Sequence, residues 1–136
     1  TGMIDEPVEE HLDLYFDQCS ILVTAEDLAM MAATLANGGV NPRTGERALK
    51  AENVSKVLSV MATCGMYDWS GEWMYRVGLP AKSGVGGGII AVCPGKFGIA
   101  VVSPPLDAAG NSVKAQRVIT EVVNTLKANL YLIQPN

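Results

Sequence analysis

The chain has 136 residues, of which 49% are hydrophobic and only 18% charged. That is one domain's worth of sequence, too apolar to be disordered, and long enough to bury roughly two-thirds of its unfolded surface without a disulfide or metal staple. Ten Lys and Arg stand against fourteen Asp and Glu, a net charge of −4 with the basic residues scattered, which excludes nucleic acid as the main partner.

The longest apolar runs, such as Ile89 to Cys93, fall far short of the roughly 18 residues that span a bilayer, so a soluble protein with no membrane partner is expected. Three cysteines, Cys19, Cys64 and Cys93, form no disulfide framework and point to a reducing compartment. They are expected to be small core residues. Residue 1 is Thr and no secretory signal is visible, so the sequence is expected to begin inside a longer chain.

From Pro7 to Cys19 the residues Val8, Leu12, Tyr15, Phe16 and Cys19 recur at spacings of three and four with acidic residues between them, which predicts an amphipathic helix. Thr24 followed by Asp27 reads as a capping box, opening a helix with Leu28, Met31, Ala32 and Leu35 on one face and Gly38-Gly39 at its close. After the turn Asn41 to Gly45, Val54, Val57, Leu58 and Met61 predict a third helix ending at Gly65. Three strands are then expected, at Trp73–Leu79, Gly88–Val92 and Phe97–Val102, the last two joined through Pro94-Gly95 as an antiparallel hairpin. Asn111 is expected to cap a final helix that turns Val113, Val118, Ile119, Val122, Val123 and Leu126 inward. The fold class is α+β: residues 1–72 helical, residues 73–136 three antiparallel strands and a last helix packed on them.

Little of the chemistry is familiar on spacing alone. The single histidine, His11, reads as a solvated residue on a polar helix face, and no C-x-x-C is present, so neither metal nor other cofactor is expected. Gly84 to Gly88 lacks the strand-before, helix-after context of a phosphate cradle, since Ile89, Ile90 and Val92 continue as a strand. Lys82-Ser83-Gly84 on a Gly-rich edge strand is one of three elements of the serine β-lactamase and penicillin-binding-protein site, where small residues let a substrate lie against backbone N–H groups.

Five stretches carry a family resemblance: Asp13 to Ser20, Leu35 to Pro42, Cys64 to Gly71, Val77 to Gly88 and Ser103 to Val113. In order and without obvious gaps, they closely resemble the C-terminal half of the serine-dependent glutaminases, enzymes of the β-lactamase-like fold that hydrolyse L-glutamine to L-glutamate and ammonia. The resemblance implies a substrate-binding role for Tyr15 and a place beside the catalytic serine for Tyr67, which also meets substrate. It implies that the Val85 N–H helps form the oxyanion hole, and that Lys82-Ser83-Gly84 is the family's K-[ST]-G strand. It further implies L-glutamine as partner, no cofactor, a homo-oligomer (dimer or tetramer), and a cytoplasmic location, mitochondrial if the source is eukaryotic.

Other readings stand beside these. Tyr15 also reads as a half-buried core residue, Tyr67 as a loop anchor and Val85 as strand filler. The nucleophile is missing: none of the seven serines has Lys three positions later, and G-x-S-x-G is absent. The upstream S-x-x-K element has no counterpart here, so the isolated chain is expected to be inactive. A penicillin-interacting serine enzyme and a non-catalytic binding or assembly module remain as alternatives.

Overall fold

The computed structural model describes residues 2–3 and 7–133. Five helices and three strands follow in the order α1 (Val8–Cys19), α2 (Ala25–Ala36), α3 (Ala51–Cys64), α4 (Ser70–Arg76), β1 (Ala81–Ser83), β2 (Gly88–Cys93), β3 (Phe97–Val102) and α5 (Val113–Thr125), with a 3-10 turn at Tyr67–Trp69. The strands form one antiparallel sheet in the order β1-β2-β3. Its two faces divide the core, because alternate residues of a strand point to opposite sides. Ile89, Ala91 and Cys93 pack with Ala115, Ile119 and Val123 of α5, together with Met66, Trp73 and Leu79. Ile90 and Val92 point the other way, to Ala32 and Ala36 of α2 and Met61 of α3. Each fully buried Leu or Ile in these clusters contributes on the order of 2 kcal/mol by leaving water.

Two glycines set how closely the layers approach. A Cβ on Gly98 in β3 would lie 2.2 Å from the Ala33 backbone nitrogen, so α2 rests directly on the strand. A Cβ on Gly65, just after α3, would lie 1.7 Å from the Ala81 carbonyl oxygen. Gly65 itself has an ordinary right-handed conformation, φ −72 and ψ −22, so close approach, not backbone freedom, requires glycine there.

The capping box at α2 is present: the Thr24 hydroxyl accepts from the Asp27 N–H at 3.2 Å, and the Asp27 carboxylate accepts from the Thr24 N–H at 2.8 Å. The Thr24 N–H and the Thr24 hydroxyl, the latter at 2.7 Å, both donate to the Asp27 carboxylate and hold it below its usual range. Gly38 and Gly39, both with positive φ, close the helix as expected.

Several expectations are corrected. Trp73–Leu79 is not a strand: α4 takes its first part, to Arg76, because Trp73 and the C-cap Val77, four apart, are buried while Tyr75 and Arg76 are exposed, a helical alternation. The Trp73 indole N–H then donates to the Leu79 carbonyl at 2.8 Å, and the first strand starts only at Ala81. Ser112, not Asn111, caps α5, accepting from the Ala115 N–H. Its buried stripe is Ala115-Ile119-Val123 at strict four-residue spacing, and Val118 and Leu126 fall off that stripe and are exposed. Met31 of α2 is exposed as well. Cys93 is buried, but Cys19 and Cys64 are exposed. Finally, α1 is helical as expected yet buries no residue; Val8, Leu12, Tyr15 and Phe16 are all exposed.

Candidate functional site

Tyr67 stands out as one of two non-glycine residues with positive φ among the described residues, at 55°. A left-handed conformation costs a non-glycine residue roughly 1–3 kcal/mol and persists only where its surroundings over-determine it. Here they do. The Met66 N–H donates to the Ser70 hydroxyl at 2.9 Å, that hydroxyl donates to the Tyr67 carbonyl at 2.7 Å, and the Asn111 amide donates to the Met66 carbonyl at 3.2 Å. Met66, Ser70 and Asn111 are all buried. The Tyr67 ring lies over Gly110, whose missing Cβ would stand 3.6 Å from it.

The end of α3 brings Tyr67 to the sheet. With Gly65 seated against Ala81, the Ser83 N–H donates to the Gly65 carbonyl at 2.9 Å and ties β1 to the segment that leads into Tyr67. In β1, Ala81 and Ser83 point inward and Lys82 outward. The Lys82 ammonium stands 4.9 Å from the centroid of the Tyr67 ring, a cation–π distance, and hydrogen-bonds the Ser83 carbonyl. The Tyr67 hydroxyl reaches the same carbonyl at 3.4 Å. Tyr67, Lys82 and Ser83 therefore form one constellation. The Ser83 hydroxyl is buried and, among the described residues, has no hydrogen-bond partner.

Beyond Ser83 the chain makes a tight turn: the Gly84 N–H donates to the Gly88 carbonyl and the Gly87 N–H to the Gly84 carbonyl, each at 2.9 Å. Gly87, at φ 95, supplies the conformation this turn needs, and β2 follows directly, as the strand reading of the glycine run required. Val85 is at the tip, 73% exposed. Among the described residues, no hydrogen bond engages its N–H. Strand filler is thus the wrong description of Val85: it presents an open N–H on the turn that adjoins Lys82 and Ser83.

Tyr15 is placed elsewhere, on the exposed face of α1, its ring 6.0 Å from that of Phe16. Cys19, one turn on, raises its phenol above the ordinary value by hydrogen bonding and by charge. Among the described residues no hydrogen bond, ion pair or ring contact joins Tyr15 to Tyr67, Lys82, Ser83 or Val85. The half-buried core reading of Tyr15 does not hold, since 59% of it is exposed.

Two clefts of similar size lie off this constellation. One, of about 480 Å³, opens between α4 and α5 beside Trp69, Arg76 and Arg117; the other, of about 500 Å³, is apolar and lined by Met30, Met31, Leu35 and Val57. Neither is lined by Tyr67, Lys82, Ser83 or Val85. The constellation therefore lies outside both clefts. Among the described residues, no three His, Cys, Asp or Glu side chains cluster where a metal would be held, and no helix is long and apolar enough to cross a membrane.

Ser70, Gly110 and Asn111 adjoin this constellation; the sequence reading took Gly110 and Asn111 as turn and cap and gave Ser70 no role. A signal was present at Asn111-Ser112: either residue makes a good N-cap, so one of the two is released for another task.

The family model of the glutaminases matches residues 1–131. A glutaminase of Trichormus variabilis is 58% identical over 130 residues, covering 96% of this chain and 39% of that protein. One from Colwellia psychrerythraea is 56% identical, covering 91% and 40%. Among solved structures, the probable glutaminase ybaS is 52% identical with a TM-score of 0.88 over 92% of this chain and 40% of that one. A Bacillus subtilis glutaminase, YbgJ, captured in covalent complex with 5-oxo-L-norleucine, is 32% identical with a TM-score of 0.89 and covers 96% and 46%. These neighbours carry the serine β-lactamase-like fold. The chain spans about two-fifths of the length of the relatives it matches.

Proposed function

Because this chain belongs to the glutaminase family, we propose that the full-length protein bearing it hydrolyses L-glutamine to L-glutamate and ammonia, and that these residues supply one wall of the active site. The observation that carries this reading is Tyr67, held in a costly backbone conformation beside Lys82 and the Ser83 carbonyl, with the open Val85 N–H on the adjoining turn. In the proposed reaction a serine outside this chain attacks the side-chain carbonyl carbon of glutamine, and its proton passes through Tyr67 and a lysine that also lies outside. The Val85 N–H stabilises the negative oxygen of the tetrahedral adduct. Collapse of the adduct transfers a proton to the leaving nitrogen and breaks the C–N bond, so ammonia departs and an acyl ester remains. Water hydrolyses the ester, releasing glutamate and restoring the serine. Lys82, directed at the Tyr67 ring, holds positive charge beside the relay. Tyr15 reaches the substrate from α1, on the side that the rest of the relatives' length completes.

Tyr67→Phe in the full-length enzyme tests this directly. Loss of a positioned proton-transfer group lowers turnover by roughly a hundredfold or more, read as ammonia release; wild-type turnover would remove Tyr67 from the mechanism. Lys82-Ser83-Gly84 alone supports the penicillin-interacting alternative, and the glutaminase relatives leave no observation that favours it. The same reading has the enzyme work in a reducing compartment, cytoplasmic or mitochondrial, as a homo-oligomer. Three free cysteines support the first, and mass measured by light scattering on the full-length protein tests the second.

A further inference from the structure

We propose that Asn111 is a positioning residue for Tyr67, presented by the Asp107–Asn111 loop; this rests on the reading of Tyr67 as a proton-transfer group. The loop holds Tyr67 from two sides. Under the ring is Gly110, where a Cβ would stand within van der Waals contact at 3.6 Å. On the backbone, the Asn111 side-chain amide donates to the Met66 carbonyl at 3.2 Å, next to the residue whose φ of 55° aims the phenol at the Ser83 carbonyl.

The loop is itself braced for this task. The Asp107 carboxylate accepts from the Asn111 N–H at 2.9 Å, the Ala109 N–H at 3.0 Å and the Gln116 side-chain amide at 2.7 Å. The Asp107 N–H donates back to the Asn111 carbonyl at 2.8 Å. Asn111 is fully buried with its backbone fixed at both ends, so its side chain has one direction to point.

Two simpler explanations of a buried asparagine fail. Capping α5 is done by Ser112. Nor does Asn111 use both ends of its amide: among the described residues its Oδ1 accepts no hydrogen bond. Among the described residues, the end of the amide that is used is the donor to the Met66 carbonyl. Ser70 braces the peptides on either side of that one, accepting from the Met66 N–H and donating to the Tyr67 carbonyl. Asn111 bonds the backbone next to Tyr67, through which it acts.

A double-mutant cycle in the full-length enzyme isolates that action. Asn111→Ala is expected to lower kcat for ammonia release roughly 10- to 100-fold, the effect of misplacing a catalytic group by about 1 Å, with a smaller change in KM. In a Tyr67→Phe background, where no hydroxyl remains to be placed, the same substitution is expected to change kcat less than about twofold. An equal loss in both backgrounds, or unchanged kcat in the single variant, overturns the role of Asn111 while leaving Tyr67 in place. Wild-type turnover in Tyr67→Phe alone instead overturns the underlying reading. Should Asn111→Ala fail to fold, Asn111→Asp serves, because a buried carboxyl donates only when protonated. Its kcat relative to wild type is expected to rise as pH falls from 8 to 6, and a flat ratio overturns the proposal.

Discussion

Replacing Gly65 by alanine disturbs the seam between α3 and β1 without altering any side chain of the constellation. The added Cβ would sit 1.7 Å from the Ala81 carbonyl oxygen, and real Cβ contacts essentially never fall below 3.0 Å, so the two segments must part by about 1.3 Å. Neither neighbour is a side chain that can rotate away: the obstruction is backbone on both sides, with the Met61 carbonyl at 2.5 Å behind. Parting breaks the 2.9 Å bond from the Ser83 N–H to the Gly65 carbonyl, worth about 1 kcal/mol net, and overpacks a filled seam at about 1–3 kcal/mol. The expected loss of stability is therefore about 2–4 kcal/mol, measured as a lower denaturation midpoint with unchanged slope. The functional loss is expected to be larger than the stability loss suggests. Ser83 carries the carbonyl that Tyr67 reaches, and a shift of about 1 Å between catalytic groups costs on the order of a hundredfold in kcat. Both are measured on full-length Gly65→Ala at a temperature where it remains folded. Wild-type kcat and an unmoved midpoint would refute the account of the seam and with it the claim that β1 positions the site.

Thiol chemistry checks the burial pattern: Cys19 and Cys64 are exposed and are expected to react promptly with a disulfide reagent, whereas Cys93 is buried, which raises its pKa, and reacts only on unfolding. Asp107→Asn checks the loop. Burial alone would raise this carboxyl, but hydrogen bonds from Asn111, Gln116, Ala109 and Gly110 hold it below its ordinary value. A depressed folded pKa gives stability that is complete above the unfolded value of about 3.9 and is lost as pH falls through the folded one, so the wild type's advantage over Asp107→Asn should shrink below about pH 4. An advantage independent of pH from 7 to 2 would contradict that. Ser112→Ala removes the α5 cap and is expected to cost about 1 kcal/mol in urea unfolding; no change would return the capping role to Asn111.

Periodicity was enough to place α1, α2, α3, α5 and the β2–β3 hairpin, because each has a pattern of one period bounded by its own turn or cap. It failed between Trp73 and Leu79, where aromatic and β-branched residues suggest a strand locally but Trp73 and Val77 are buried one helical turn apart. The depth of burial was not legible at α1, whose apolar stripe is genuine yet faces no partner within the described residues. Of the site, motif resemblance singled out Tyr67, Lys82, Ser83 and Val85. What holds Tyr67 was not legible, because Ser70 acts through two local side-chain hydrogen bonds and Asn111 through one that spans 45 residues from Met66, and such pairings leave no periodic trace. Gly65 was correctly read as a helix end, but only the approach of Ala81 reveals why nothing else fits.

Strand β3 pairs with β2 along one edge and is the last strand of the sheet among the described residues. Its sequence, Phe-Gly-Ile-Ala-Val-Val, carries no charge and no proline, the composition of segments that self-associate through unpaired edges. α2 covers a face of this strand through the contact at Gly98, but a face is not an edge. Produced as these residues alone, the chain would find in another copy of β3 the readiest complement for that edge, so aggregation competes with folding from the moment the hairpin forms. The same edge that lets a sheet be extended thus makes timing, as much as stability, the quantity that decides whether the fold is reached.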